Sequence, residues 1–151
     1  MTKFLLAVHV LAAIVAVGPV TVAASMFPPV ARKVLAEPAE SRHSLELLHR
    51  ICRVYALVGV VVPVFGFATA KNMGVLGDTW LIVSIALTTL AAVVLGALVL
   101  PRQGAVLEAV EGGVIGERAT VRLAMATGVF NLLWAAVTVL MIVRPGSTTG
   151  A

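Results

Sequence analysis

Long apolar runs dominate the chain, and short polar segments separate them. Four of these runs contain no Asp, Glu, Lys or Arg. A helix needs about 20 mostly apolar residues to cross the hydrocarbon core of a bilayer, so each run predicts one transmembrane helix. The predicted fold class is all-α: one domain, residues 1–151, that forms an integral membrane bundle of four transmembrane helices. The predicted spans cover about residues 4–26, 54–70, 79–100 and 123–143.

The second span is short, and its helix is predicted to begin outside the membrane. Pro38 opposes a helix that continues from the preceding residues, and Ser41 is a suitable N-cap for a new one. Apolar residues then follow at helical spacing, which predicts one helix from about Ser41 to Ala70 with an apolar face on its protruding part. These residues are Leu45, Leu48, Cys52 and Tyr55.

The segment between the third and fourth spans, about residues 101–122, contains a second amphipathic pattern. Leu107, Val110 and Val114 recur at helical spacing. Two interpretations remain open: a short helix that lies on the inner leaflet, or a flexible linker. A short helix would end at the group of glycines formed by Gly112, Gly113 and Gly116.

The composition excludes a water-soluble or a disordered protein. Hydrophobic residues make up 60% of the chain, charged residues only 12%, and the mean hydropathy is +1.07. A soluble domain carries about twice that share of charge, and a disordered chain is poor in aliphatic residues. The single cysteine, Cys52, cannot form an internal disulfide or a C-x-x-C redox pair.

The basic residues predict the orientation in the membrane. Eight of the eleven Lys and Arg lie in the loops at about residues 27–53 and 101–122. Basic residues accumulate in loops that stay in the cytoplasm, so both termini are predicted to be extracytoplasmic and the location to be the bacterial cytoplasmic membrane. This rule also accounts for the net charge of +4. Without a basic cluster interleaved with aromatic residues, no binding of nucleic acid is expected.

Helices in a bilayer associate through small residues and a few hydrogen bonds, and the last two spans carry both. Such stripes predict close contact within the bundle or between protomers. The third span has the stripe Ser84, Thr88, Ala92 and Gly96. The fourth span has the stripe Ala124, Gly128, Asn131, Ala135 and Thr138. In the first two spans, Pro19 and Pro63 each remove a backbone hydrogen bond and predict a kink.

His9, in the first span, is the main candidate for chemistry, because ionisable groups are costly inside a bilayer. Either it binds haem or a metal or carries a proton, or it packs as a neutral ring hydrogen-bonded by Ser84 or Thr138. The other histidines, His43 and His49, lie on the predicted cytoplasmic side, too far away to share one haem iron with His9. The residues alone assign no cofactor, and a haem with His9 as its one axial histidine stays open as an alternative.

Asn131 is a polar side chain near the middle of the fourth span. It either lines a polar path or joins two helices by a hydrogen bond, and Thr88 and Thr89 lie at a suitable depth to meet it. Trp134 is too deep for the aromatic belt at the membrane surface and is expected to pack in the same contact. No span holds a carboxylate, and no nucleophile elbow, P-loop or H-E-x-x-H motif is present, so an enzyme is not expected.

Several short motifs resemble a bacterial membrane family known as domain of unknown function 2269. They lie within the first span, within the fourth span and after it, so the resemblance covers nearly the whole chain. It implies a four-span layout and no particular activity. The motifs are Phe4-Leu5-Leu6-Ala7-Val8-His9-Val10-Leu11-Ala12-Ala13, Gly18-Pro19, Phe130-Asn131-Leu132-Leu133-Trp134 and Arg144-Pro145-Gly146.

The chain is also similar to two other four-span groups, the membrane domain of copper-resistance D proteins and the J-type protoporphyrinogen oxidase. The oxidase carries haem on a histidine of its first span, so this resemblance implies that His9 is a haem ligand. The oxidase then has an aromatic-leucine-proline-arginine sequence, where this chain has Gly18-Pro19-Val20-Thr21. The resemblance therefore extends to the ligand position and not to the sequence that follows it.

The sequence leaves three functional hypotheses. The first is a non-catalytic inner-membrane protein, an accessory or structural subunit whose partners are the lipid bilayer and further copies of itself or another membrane protein. The second is a haem- or metal-binding redox protein that uses His9. The third and weakest is a small transporter or pore, because proton-coupled transporters usually keep a carboxylate inside the membrane.

Overall fold

The computed structural model describes residues 1–34 and 36–147, and within these residues all regular secondary structure is helical. Four helical segments are long and apolar enough to cross a membrane. The predicted all-α class and the number of membrane-length helices are therefore confirmed. The predicted domain, residues 1–151, also includes residues 35 and 148–151, which lie outside the described residues.

The first and fourth membrane helices are uninterrupted. Helix α1 is Thr2–Lys33 and helix α6 is Glu117–Val143. α1 remains helical through its internal prolines, including Pro19, the site of a predicted kink. Both helices extend past the predicted spans into basic sequence. The basic residues in the last turn of α1 face the negative end of its dipole, which favours this extension.

The second membrane segment consists of two helices, α2, Pro38–Val58, and α3, Val61–Met73. Pro63 has no N–H with which to reach the carbonyl of Gly59. The N–H of Val62 donates to that carbonyl instead, at 3.1 Å, and this tighter turn separates α2 from α3. The sequence predicted a disturbance by Pro63, and the structure locates it one turn before the proline.

The start of α2 differs from the prediction. Pro38 is the first helical residue, because its missing N–H costs no hydrogen bond there. Glu37 takes the N-cap position, and the N–H of Ser41 donates to the Glu37 carbonyl at 3.2 Å. Ser41 is therefore a buried residue within the first turn and not the N-cap.

The third membrane segment is longer than predicted. Helix α4, Thr79–Val93, passes through a π-helical stretch, Val94–Val99, into helix α5, Leu100–Glu111. Pro101 cannot donate to the carbonyl one turn earlier, and the N–H of Leu100 reaches back five residues, so the turn widens. The segment at residues 100–111 is thus neither a linker nor a separate surface helix. It continues the third membrane helix and ends before Gly112, as the glycines predicted.

One end of the bundle is closed and well packed. We call it the basic end; it comprises the C-terminal part of α1, most of α2, all of α5 and the start of α6. There α1 packs on α2 and α6, and α5 packs on the same two helices from the other side. The main core lies within this ring, where the largest buried side chains include Phe27, Leu45, Val99 and Leu123.

The other half of the bundle is open on one side. In this half, α3 packs on α1 and α4 packs on α6, but α3 and α4 make little contact with each other. The exception is a small cluster at their connecting turn, formed by Ala70, Val75, Trp80 and Leu81. The first buried residue of α1 is Ala16, so the start of that helix contributes nothing to a core. We call this part the open half.

The exposed surface is large for the mass of the chain. The accessible area is 8926 Å², whereas a water-soluble globular protein of 15.6 kDa exposes about 7,300 Å². Much of this area is aliphatic, and Leu57, Leu132 and Ile142 are each at least 70% exposed. Such a surface suits lipid tails or another membrane protein.

Candidate functional site

His9 lies in the open half, where α1 meets α3. Its Nδ1 is 3.0 Å from the carbonyl oxygen of Val62. Because a carbonyl only accepts, Nδ1 is the donor, and Nε2 is the ring atom that is left for another partner. Ser84 and Thr138, the predicted partners of His9, instead donate to carbonyls one turn earlier in their own helices.

Gly66 provides the space that the His9 ring occupies. A Cβ atom at this position would lie 2.8 Å from Cε1 of His9, which is too close for a real contact. No such neighbour exists at Gly18, Gly96 or Gly128, where nothing lies within 4 Å of the equivalent point. The close approach of α1 to α3 therefore depends on Gly66 in particular.

Asn131 joins α6 to α1. Its Nδ2 donates to Oγ of Ser25 at 3.0 Å, so it acts between two helices. The predicted partners, Thr88 and Thr89, donate to carbonyls within α4 and not to Asn131. Trp134, which was predicted to pack in the same contact, is half-buried against the main core.

Two oxygen atoms in this region are buried and have no hydrogen-bond partner among the described residues. They are Oγ1 of Thr127 and Oδ1 of Asn131, which lie one turn apart on α6. In α1, Pro28 and Pro29 lack the N–H groups that would bond the carbonyls of Ala24 and Ser25, one turn earlier. The two orphan oxygens can accept hydrogen bonds from a water molecule, and they supply no group that titrates in the physiological range.

The small-residue stripe of the third membrane helix is only partly used within the chain. Ser84 is fully buried, whereas Ala92 and Gly96 are exposed. A spacing of four residues advances about 40° around an α-helix at each step, so the stripe rotates from the contact with α6 onto the surface. In the fourth helix, Gly128 is half-buried and Thr138 is exposed.

A polar network at the basic end was not predicted. Nδ1 of His49 donates to Oε1 of Gln103 at 3.0 Å, and Nε2 of Gln103 approaches Sγ of Cys52 at 3.5 Å. The thiol in turn lies 4.0 Å from the carbonyl of Val20. Gln103 and Cys52 are fully buried, so the network connects α5, α2 and α1 inside the main core. The feature of the sequence that could have indicated this network is the spacing of His49 and Cys52, which are three residues apart on the apolar side of one helix.

No metal centre with several ligands is assembled by the described residues. Nowhere in residues 1–34 and 36–147 do three or more His, Cys, Asp or Glu side chains come together. His43 is exposed near the start of α2, and His49 is engaged with Gln103. Any haem or metal bound near His9 would therefore have this histidine as its one imidazole ligand from the described part of the chain.

Comparison with protein-family models, with curated proteins and with solved structures finds no match for this chain. The resemblances to domain of unknown function 2269, to copper-resistance D proteins and to the J-type oxidase therefore stay predictions. Function has to be inferred from the side chains and surfaces of this chain itself.

Proposed function

We propose that the chain is a non-catalytic, multi-pass protein of the bacterial cytoplasmic membrane that acts as a subunit of an assembly, formed with copies of itself or with another membrane protein. The observation that carries this proposal is the surface at Ala92 and Gly96. Both residues are exposed, and beyond the adjacent residues and backbone of its own helix nothing lies within 4 Å of where a Cβ of Gly96 would be. Small residues on a lipid-facing helix allow the backbone of a second helix to come close.

The large accessible area supports the same proposal. Association in a membrane gains little from hydrophobicity, because lipid tails are as apolar as aliphatic side chains. Association depends instead on complementary shape. The open half has a gap between α3 and α4 that lipid tails would have to fill. A partner helix in that gap would replace those lipids with matching side chains, and the exposed Ala92 and Gly96 offer a second place for a close approach.

The proposed orientation has the basic end in the cytoplasm and both termini outside. It rests on the eight basic residues of that end, against three elsewhere, and on the tendency of Lys and Arg to remain on the cytoplasmic side. The turn between α3 and α4, at residues 74–78, is then extracytoplasmic.

Replacement of Gly96 tests the proposal. Gly96→Ile is expected to weaken self-association at least about tenfold, roughly 1.4 kcal/mol, because a branched side chain holds two backbones apart. Ala136→Ile is the matched control: Ala136 is also small and exposed, but it lies on α6 outside both predicted stripes. The readout is subunit number against protein density, measured by single-molecule photobleaching in liposomes. A wild-type protein that stays monomeric and purifies without a partner contradicts the proposal.

A second candidate is a haem-binding redox protein, and the hydrogen bond from His9 to Val62 favours it. Histidines that bind metals usually donate their other ring N–H to a carbonyl or carboxylate, which fixes the ring and directs the free nitrogen at the metal. His9 has this arrangement, with Nε2 as the ligand atom. A bound haem would supply one-electron chemistry, and the chain would orient it through this one histidine.

Absorption spectra of the purified protein, before and after dithionite, test the second candidate. The expected result is a Soret band in the wild type that is lost in His9→Ala. Gln103→Ala is a useful control, because it releases His49 without touching His9. A colourless wild-type protein, purified from cells supplied with haem precursor, would remove this candidate.

A further inference from the structure

A groove runs along the outer face of α2 at the basic end. It has a volume of about 470 Å³ and is broadly open to the surface, so it is a shallow groove and not an enclosed cavity. Six of its lining residues belong to α2 and recur at helical spacing, and Leu107 of α5 forms the opposite wall. The groove therefore lies between two helices that are joined by the hydrogen bond of His49 with Gln103.

The charges at this groove are not balanced by the described part of the chain. Arg50 and Arg53 both line it, and neither has an ion pair or hydrogen bond among residues 1–34 and 36–147. The one acidic residue in the lining, Glu46, is already bonded to Arg42 at 3.1 Å. Two guanidinium groups thus face the groove without an anion to neutralise them.

The groove also crosses the boundary between polar and apolar sequence. Arg53 is the last charged residue of α2, and no charge follows before Lys71 in α3. Immediately below Arg53, the lining consists of Val54 and Leu57, which are 48% and 76% exposed. A ligand that fits must have an anionic head at the level of the arginines and an apolar tail along the valine and leucine.

We propose that this groove binds an anionic glycerophospholipid of the membrane leaflet at the basic end. The planar guanidinium groups of Arg50 and Arg53 match the oxygens of a phosphodiester, which they can contact in pairs. Basic pockets between membrane helices bind such headgroups in general. A zwitterionic lipid is disfavoured, because its ammonium group would lie close to the two arginines.

Binding of phosphatidylglycerol with eight-carbon chains is the direct test. The full chain in mild detergent is titrated with it and followed by native mass spectrometry, beside phosphatidylcholine of the same chain length. The expected preference for phosphatidylglycerol is about tenfold or more, since a charge-assisted contact is worth about that factor. Glycerophosphoglycerol, which has the same phosphodiester anion without acyl chains, is expected not to compete. Equal binding of the two lipids, or full competition by glycerophosphoglycerol, overturns the proposal.

Matched variants locate the site. Arg50→Gln with Arg53→Gln is expected to abolish the preference, whereas Arg32→Gln with Arg118→Gln should retain it. The second pair removes the same charge from the same end of the bundle without touching the groove. If both pairs bind phosphatidylglycerol like the wild type, the groove is not the site.

A measurement on the wild type avoids any dependence on variants that fold poorly. A photoreactive phosphatidylglycerol is expected to label the peptide that contains residues 46–57, and unlabelled phosphatidylglycerol, but not phosphatidylcholine, should prevent the labelling. Labelling confined to other helices contradicts the proposal. The site does not depend on self-association, so Gly96→Ile should bind the lipid like the wild type, and the two proposals can fail separately.

Discussion

Single polar side chains connect the membrane helices of this protein. His9 connects α1 to α3, Asn131 connects α6 to α1, and Gln103 connects α5 to α2. Each of these contacts in a bilayer is worth about 1 kcal/mol or less on average. Their value is therefore more in fixing which helix faces which than in overall stability.

The contact of His9 with Gly66 leads to a prediction. Gly66→Ala is expected to destabilise the protein by about 1–2 kcal/mol, because the new methyl group meets the imidazole ring and pushes His9 from the Val62 carbonyl. In a His9→Ala background the same substitution should cost nothing or stabilise, since alanine favours a helix over glycine. Thermal unfolding in detergent of the wild type, the two single variants and the double variant measures the coupling between His9 and Gly66. An equal cost of Gly66→Ala in both backgrounds contradicts it.

The sequence identified the polar residues of the spans but not their partners. Asn131 was expected to meet Thr88 or Thr89 because they lie at a similar depth. A threonine in a helix, however, can bond the carbonyl one turn earlier in its own backbone, and both do so. Depth in the membrane also does not specify the direction in which a helix face points. Ser25, the actual partner, could not be selected from the sequence on that basis.

At the scale of elements, prolines explain the two places where a membrane helix departs from a regular α-helix. Before Pro63, a tighter turn at Gly59 and Val60 interrupts the helix. Before Pro101, the helix widens into a π-helix. The first departure was predicted and the second was not. Pro101 stands where the apolar run ends, and the helical pattern after it did not indicate that the membrane helix itself continues. Burial of Gln103 and Val106 against α2 stabilises that continuation.

The π-helix predicts an unusual tolerance of deletion. A π turn holds one more residue than an α turn, so removal of the exposed Ala97 lets the segment become α-helical and keeps α5 in register with α2. Removal of Ala86, in regular α4, rotates the part of the helix after the deletion by about 100° relative to the part before it. Both deletions are made in the Pro101→Ala variant, because there a proline no longer opposes an α-helix.

The expected results of the two deletions differ clearly. The melting temperature should fall by about 10 °C or more for the Ala86 deletion and remain within a few degrees of the Pro101→Ala parent for the Ala97 deletion. Circular dichroism in detergent provides the measurement. Equal losses would mean that the widened turn does not absorb the missing residue.

At the scale of the whole molecule, the apolar runs were sufficient to predict four membrane-length helices, since length and hydropathy decide that property. They could not predict that the bundle is closed at the basic end and open at the other. That difference depends on which faces of α3 and α4 carry bulky side chains, and neither helix has a distinct polar face that would indicate its direction. Only contacts between distant segments distinguish the two ends.

The orientation can be tested because Cys52, the one cysteine, is fully buried and should not react. Gly77→Cys introduces a thiol at the turn between α3 and α4, and Glu108→Cys introduces one at the basic end; both positions are exposed. A membrane-impermeant maleimide is expected to label Gly77→Cys in intact cells and Glu108→Cys only after permeabilisation. The wild type is the background control, and the reverse pattern would place the basic end outside.

The break between α2 and α3 lies where the closed and open halves of the bundle meet. Below it, α2 is anchored by α1 and α5; beyond it, α3 is held by α1 and hardly at all by α4. Gly59 and Val60 keep right-handed helical dihedral angles, but the tighter hydrogen bonds at these residues separate α2 from α3. If the angle of α3 changes, we expect the change at this interruption; the core at the basic end would keep its packing, and the gap beside α4 would vary in width.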